Sequence, residues 1–534
     1  MKKDRPALIN RILFTVYMLL PTVAFVYGFV TENVLLLAVI MIVSALAWFI
    51  VSGPLLGFIS RIRVRGADGS VLGASRGPAG EGVPGGHHGT DSAPLKVFIA
   101  SALACLVILL LWLWAYFPGS YFKDSIEQYE QAMTGHYDDW HPVWHTLLFF
   151  TIPLKITGGA VWSVVFWQML VFSLVIGYMT AWIYGSAGRL PALISWGYIV
   201  LNPYTGLVLL YPLKDIAFAL AGAVSMIMAA KILLTDGEWA GKWWRLAAFG
   251  FVIASAGIFR HNGIIFAGFL VLALIFVLKF RKWIQVAVWF ALFMFLIKGP
   301  VYSLLQVESN PQTVVQAVGL PMAIIGNVTV QTPEKLDAET AEFVYAIAPQ
   351  EEWEASYELG NFGIMKYWRG LDLDIIEETG VMPIVKMSLR CIAASPGPSF
   401  KAILELTDIV YGWDILDQGF IGPQIVENDD GLVTAWHEPL ASVLMICYKL
   451  VRLHGYNFTR QSAFALVIML SVMLACFDLR KPDDWKKIVV CLPVFAYDFG
   501  TMLLLTSADA RFFYVTYLVC PVVVVTSLML KSKQ

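Results

Sequence analysis

The chain has 534 residues, 58% of them hydrophobic and 14% charged, with a formal net charge of −2 and a mean hydropathy of +0.69. Many apolar runs reach the ~20 residues needed to cross a bilayer core, which excludes a soluble protein and points to an all-α polytopic membrane protein. A β-barrel would show short alternating segments instead, and a pI near 6.5 argues against a nucleic-acid partner.

The opening MKKDRPALINR leads into an apolar segment at 12–30 that lacks a small-residue cleavage site, so no cleavable signal is expected. A second apolar segment at 33–58 completes a two-helix hairpin over 1–60. Lys2, Lys3, Arg5 and Arg11 precede the hairpin and Arg61, Arg63 and Arg65 follow it. The positive-inside rule places both stretches in the cytoplasm. Residues 61–95, rich in Gly, Ser and Pro, read as a flexible cytoplasmic linker. His87-His88 within it reads as a solvated pair, not a metal site.

Segment 96–117 then crosses outward into the stretch Gly119–His145. Phe122, Ile126, Tyr129 and Met133 recur there at helical spacing, with Asp124, Gln128 and Gln131 on another face. The pattern predicts a helix lying on the outer bilayer surface, apolar side down. Tyr137, Asp138, Asp139 and Trp140 lead on to His141-Pro142, where the proline opens the next helix. His141 and His145 have the i, i+4 spacing of a zinc helix, but the Glu of HExxH is absent. His141 therefore reads as a polar residue lining a site.

Segment 142–157 is expected to return inward, and 161–209 to make one net outward crossing, bent or partial. Apolar segments at 216–234, 246–259, 264–280 and 283–300 follow. Lys231, Lys242 and Arg245, then Lys279, Arg281 and Lys282, mark cytoplasmic turns between them. Counting back from these turns puts Lys214-Asp215 and Arg260-His261-Asn262 on the outer face beside Asp124. Residues 96–300 thus form the membrane core that holds the site.

Residues 301–436 are acid-rich (EEWEASYE, DLDIIEETG, VENDD) and read as an extracytoplasmic domain. Residues 437–534 supply the closing segments 461–478, 488–506 and 511–530, with 439–453 as a partial or interfacial helix. The scheme has about twelve transmembrane helices, both termini in the cytoplasm and Ser507–Arg511 outside. Asn327-Val-Thr and Asn457-Phe-Thr match the glycosylation sequon. Cys105, Cys391, Cys447, Cys476, Cys491 and Cys520 form no close-spaced motif and read as packing residues.

Four polar clusters therefore land at one lip: Asp124 with Glu127 and Gln128; Asp138, Asp139, His141 and His145; Lys214-Asp215 with Arg260-His261-Asn262; and Asp509 with Arg511. Charges at the ends of apolar helices are costly unless paired or hydrated, and they tend to mark function. Lys and Arg suit a phosphate or diphosphate. A carboxylate suits removal of a proton from a hydroxyl, or ligation of a hard divalent cation. The combination points to group transfer from a lipid-linked phosphate. Glu127 and Asp139, read as solvated charges, are expected to contribute less. The alternative is a transporter or flippase of a lipid-linked or anionic substrate, which would carry polar groups at mid-membrane depth. The apolar segments here are nearly free of internal charge.

An aspartate in the first outer loop, an amphipathic stretch and an aromatic-flanked proline opening the next helix resemble the GT-C superfamily of membrane glycosyltransferases. Asp215 in YPLKD and the element Asp509-Ala-Arg511-Phe512-Phe513-Tyr514 extend the likeness. The set D-S-x-x-Q (Asp124 to Gln128), H-P (His141), K-D (Lys214), R-x-N-G (Arg260 to Gly263) and R-F/Y (Arg511) also resembles an uncharacterised bacterial family of GT-C-like polytopic proteins. The resemblance covers 96–300 and, loosely, 488–530. It departs at the usual first-loop acidic pair, here Asp124-Ser125 with Glu127 displaced. It implies inverting transfer of a sugar from a polyprenyl-phosphate donor at the outer face, in cell-envelope glycan modification. Asp124 would be the base toward the acceptor hydroxyl. Lys214, Arg260 and Arg511 would hold the phosphate, and Gln128, His141, Asp215 and Asn262 would line the substrate site.

Overall fold

In a bilayer every backbone polar group must be satisfied within its own segment, which leaves helices as the available form for an apolar chain such as this. A computed structural model describes residues 6–27, 34–62, 92–309, 313–365, 372–413, 422–453 and 462–532, and 79% of it is helical. Most of the Gly-rich linker, with His87-His88, and the sequon at Asn457 lie outside the described residues. Among the described residues seven helices are long and apolar enough to cross a membrane. They include α1 (Leu8–Tyr27), α2 (Val34–Ile59) and α3 (Ser92–Ala115).

Contacts sort the helix ends onto two lips. At one, the Asn10 amide donates to the carbonyls of Leu474 (2.8 Å) and Phe477 (2.6 Å), and Lys531 reaches the Ser60 carbonyl. At the other, β1 (Tyr116–Phe117) pairs with β2 (Ala435–Trp436). There too the Ser120 N–H donates to Leu210 (3.0 Å), and the Tyr121 hydroxyl to Val161 (2.8 Å).

The second lip corrects one expected crossing. Past the amphipathic helix α4 (Lys123–Thr134), the helix α5 (Val143–Thr157) both starts and ends at this lip. Thr157 Oγ1 bonds Ser163 at 3.0 Å, next to the Val161 carbonyl that receives Tyr121. Its length of about 22 Å at 1.5 Å per residue falls short of a ~30 Å hydrocarbon core. Helix α6 (Trp162–Ala187) therefore begins at the Tyr121 lip and runs antiparallel to α3. A Cβ on Gly177 would lie 2.7 Å from Ala102 Cβ and 2.9 Å from the Phe98 carbonyl, so glycine permits this close approach.

The chain returns through α7 (Arg189–Val200) and α8 (Pro203–Leu209), a pair bent by 54°. Pro203 has no N–H to continue the helix, and the Asn202 side chain caps the new one by accepting from the Tyr204 N–H at 3.0 Å. Residues 161–209 thus run away from the Tyr121 lip and return to it, where one net pass was expected. Helix α9 (Lys214–Leu234) still starts at the Tyr121 lip. Helices α10 (Trp243–Phe259), α11 (Gly263–Phe276) and α12 (Phe280–Leu304) follow.

Beyond α12 a helical unit has its own core, in which Val315, Met322, Ile325, Phe343, Trp353, Ile376 and Ile384 are buried together. This unit is narrower than 301–436. Tyr302 and Leu304 belong to the end of α12, and helix α13 (Pro396–Tyr411) buries Leu406, Ile409 and Val410 in the membrane core. The chain after 422 runs back over the loop that follows α3, where the Tyr121 N–H donates to Gln424 at 2.9 Å. Asn327 is buried, with its amide donating to the Pro398 carbonyl at 2.7 Å, so its sequon serves packing. Five of the six cysteines are buried and Cys447 is exposed. Helices α14 (Leu440–Leu453), α15 (Ser462–Cys476), α16 (Leu492–Met502) and α17 (Tyr514–Ser532) close the chain.

Candidate functional site

Helix α4 is held on two faces. Its apolar stripe buries Ile126 and Tyr129, and Phe122 stacks on Tyr211 at 4.2 Å; Met133 stays exposed. Its polar side is buried too, through Ser125, Gln128 and Gln131. The helix is therefore wedged into the protein, in place of the expected float with its polar face outward. Gly135, at φ 79°, ends it in the left-handed conformation that favours glycine.

Gln128 departs from its expected role. Its Oε1 accepts from His145 Nδ1 at 2.6 Å and from the Thr146 hydroxyl at 3.2 Å, and the residue is 1% exposed. It locks α4 to α5 and lines neither of the two cavities described below. A buried amide without such partners would cost stability, so these bonds define its place.

Above this lock a cavity of about 570 Å³ opens at the lip, a volume typical of small-ligand sites. Asp124, Lys214, Arg260, Asn262 and Arg511 line it together, with Asp139, Trp140, His261, Thr506 and Phe512. Five of the eight residues anticipated from the sequence thus meet in one space from four separate chain regions. Gln316 and Ala317, from the unit beyond α12, also reach the wall.

The cations are each held from behind. Lys214 Nζ lies 2.9 Å from His141 Nδ1, and His141 Nε2 lies 2.9 Å from Glu127 Oε2. An ammonium can only donate, so His141 Nδ1 accepts and its Nε2–H donates to the Glu127 carboxylate. Burial first, then the charge of Lys214, lowers the His141 pKa, while Glu127 opposes the shift. His141 is fully buried and stands behind Lys214, not on the cavity wall. Glu127, expected to be merely solvated, anchors this chain.

Arg260 pairs with Asp215, and its guanidinium lies 4.2 Å from the centre of the Phe512 ring. Asp215 is 2% exposed and does not line the cavity; it neutralises Arg260 from the protein side. Arg511 Nε bonds Asp509 Oδ2 at 2.6 Å. The other Asp509 oxygen caps the turn Ala510–Phe513 by accepting the Arg511 N–H at 3.0 Å. Asp139 is not solvated either: Lys298 Nζ lies 2.7 Å from Oδ2, and the Tyr302 hydroxyl donates to Oδ1 at 3.0 Å.

Asp124 occupies the first turn of α4, where the helix N-terminus favours negative charge. Burial raises its pKa, but the His141 imidazole with the Lys214 and Arg511 cations outweighs this and holds the carboxyl well below the usual range. Among the described residues no ion pair closes on it. No group of three or more His, Cys, Asp or Glu placed to hold a metal ion occurs among the described residues. The neighbouring carboxylates are engaged elsewhere: Glu127 with His141, Asp139 with Lys298, Asp215 with Arg260 and Asp509 with Arg511.

Compared with protein-family models, curated proteins and solved structures, the chain gives no match.

Proposed function

We propose that this chain is a membrane glycosyltransferase of the GT-C type, moving a sugar from a polyprenyl-phosphate donor to an acceptor hydroxyl at the outer face of the cell membrane. The observation that carries the proposal is Asp124 sharing one lip cavity with Lys214, Arg260 and Arg511. Three cations suit a phosphate, with arginine supplying bidentate contacts. The carboxylate suits a hydroxyl nucleophile.

In the step proposed, the acceptor oxygen attacks the anomeric carbon and forms the new C–O bond. The bond from that carbon to the phosphate oxygen breaks, and its electron pair leaves on the polyprenyl phosphate. The acceptor proton passes to Asp124. The charges that keep Asp124 ionised also make it a weak base. A phosphate seated among Lys214 and Arg511 offsets their charge and restores its basicity, so base strength rises when the donor is bound.

Orientation follows from charge. The turns at Lys231, Lys242 and Arg245 and at Lys279, Arg281 and Lys282 lie away from the cavity lip, and the positive-inside rule makes that side cytoplasmic. Counting the shorter apolar helices α10, α11, α15 and α16 as passes gives a route of about twelve, with both termini inside. The partners are then a lipid-linked sugar and membrane lipids.

A transporter or flippase is favoured by one observation. Asp498 is fully buried within α16, with both carboxylate oxygens receiving the Thr516 hydroxyl at 2.7 and 2.8 Å. Intramembrane acids often mark transport paths, but Asp498 lines neither cavity described here. Mass spectrometry of envelope glycans and lipids from cells with and without the protein separates the two functions. Loss of a transferase removes one sugar modification and leaves its unmodified acceptor. An unchanged acceptor pool with the donor retained on the inner leaflet would contradict it.

A further inference from the structure

A second cavity, of about 640 Å³, meets the first at Asp139 and Ser309. The boundary is polar: it is shared by Ser309 and by Asp139, whose two oxygens are taken by Lys298 and by Tyr302. The local backbone is unusual on this side. Helix α12 passes through a π-helical turn at Ile297–Val301, a feature common at functional sites. Gln306 then adopts φ 52°, uncommon for a residue with a side chain. The segment is pinned below, with the Glu308 N–H donating to Tyr137 at 2.9 Å and the Asp139 N–H to Glu308 at 3.0 Å.

Charge separates the two chambers. The first is lined by Lys214, Arg260 and Arg511. In the second Lys298 is the single cation among the described lining residues, and Asp139 neutralises it; Glu308 leaves the space negative. A second phosphate is disfavoured there. The hydroxyls of Ser303 and Ser309, the Gln306 amide and the Glu308 carboxylate offer donors and acceptors together, which matches a polyhydroxylated ligand.

We propose that this second chamber binds the acceptor as a neutral polyhydroxylated group, and presents its hydroxyl past Asp139 toward Asp124. The inference rests on the transferase reading of the first cavity. Leu304 beside the chamber is 84% exposed, so a carbohydrate borne on a lipid reaches it as readily as a soluble one.

The test uses the full chain in nanodiscs carrying Cys447→Ser, to remove the exposed thiol, and Ser303→Cys as a reporter. Maleimide alkylation of the introduced thiol is timed with maltotriose, with a glycosyl diacylglycerol in the disc, or with farnesyl phosphate. Protection follows 1 + [L]/Kd, so a carbohydrate at twice its Kd slows alkylation about threefold. Slowing by one carbohydrate and not by farnesyl phosphate is expected, and which carbohydrate acts distinguishes a soluble from a lipid-borne acceptor. No slowing by either carbohydrate overturns the proposal, as does equal slowing by farnesyl phosphate. A parallel Thr506→Cys reporter sits in the first cavity. If farnesyl phosphate leaves that thiol unprotected, the donor reading fails, while the reporter at position 303 still decides the second chamber.

Discussion

His141 Nδ1 lies 2.9 Å from Lys214 Nζ, so the one lysine of the cavity is aimed by a neutral imidazole and not by the carboxylate across from it. The arrangement leaves the lysine's charge available to a ligand, because imidazole accepts a hydrogen bond without cancelling charge. Glu127 fixes the tautomer from outside. His141→Phe should therefore weaken farnesyl phosphate binding about tenfold, the order of one charge-assisted contact. His141→Gln, whose amide oxygen can still accept, should recover part of it. Glu127→Gln should fall between wild type and His141→Phe in the same titration. Equal affinity in all four proteins would show that Lys214 needs no such support.

The Asp215–Arg260 pair should behave as a buried unit. Asp215→Ala leaves a buried guanidinium without its counter-charge and is expected to destabilise the protein by about 3–5 kcal/mol. The double variant Asp215→Asn with Arg260→Gln should regain most of that stability while losing donor binding. Thermal melts in nanodiscs check both. A double variant as unstable as Asp215→Ala would place the pair's role elsewhere.

Stability should also depend on pH through His141. Its folded pKa lies below the ordinary value near 6.5, so the unfolded chain binds a proton that the folded chain refuses. The sign follows: this contribution is present above pH ~6.5 and is lost progressively as pH falls toward the lowered folded value. Between about pH 7 and pH 5 the melting temperature of His141→Gln should fall less steeply than that of wild type. A steeper fall in the variant would contradict the buried neutral imidazole.

The sequence carried the membrane class and much of the cavity, for a physical reason. Lys214, Arg260 and Arg511 each stand beside an apolar run, where a charge is visible against apolar residues; Asp124 shows in the polar face of a helical pattern, and Asn262 follows Arg260. What was hidden depended on distant partners. Asp139 looked solvated because Lys298, 159 residues away, sits inside an apolar segment that reads as a span. Gln128 looked like a site residue because helical spacing puts it one turn from Asp124; only the seating of α5 shows that its amide is spent on His145 and Thr146. The apolar run 142–157 read as a crossing because hydropathy does not register that both its ends bond to the same lip. Lys214 reached the expected lip nonetheless, since losing one pass at α5 and gaining one at 161–209 keeps the parity.

Close packing of α3 against α6 sets the loop after α3 in place, and it too can be tested. Gly177→Val should destabilise the protein by about 1–3 kcal/mol, the usual cost of overpacking, because its side chain meets Ala102 and the Phe98 carbonyl. Adding Ala102→Gly should recover part of the loss in the same melts. A neutral Gly177→Val would mean that the two helices are free to separate.

Asp124→Asn tests the central claim most directly. The substitution keeps shape and removes basicity at a carboxylate held ionised by Lys214 and Arg511. The measurement is sugar transfer by the full chain in nanodiscs, with farnesyl phosphate affinity taken on the same preparation. Transfer should fall by roughly 10²–10⁴-fold, the range for loss of a general base, while farnesyl phosphate still binds through Lys214, Arg260 and Arg511. An Asp124→Asn protein that is made normally and transfers at close to the wild-type rate would contradict the assignment of Asp124 as the base.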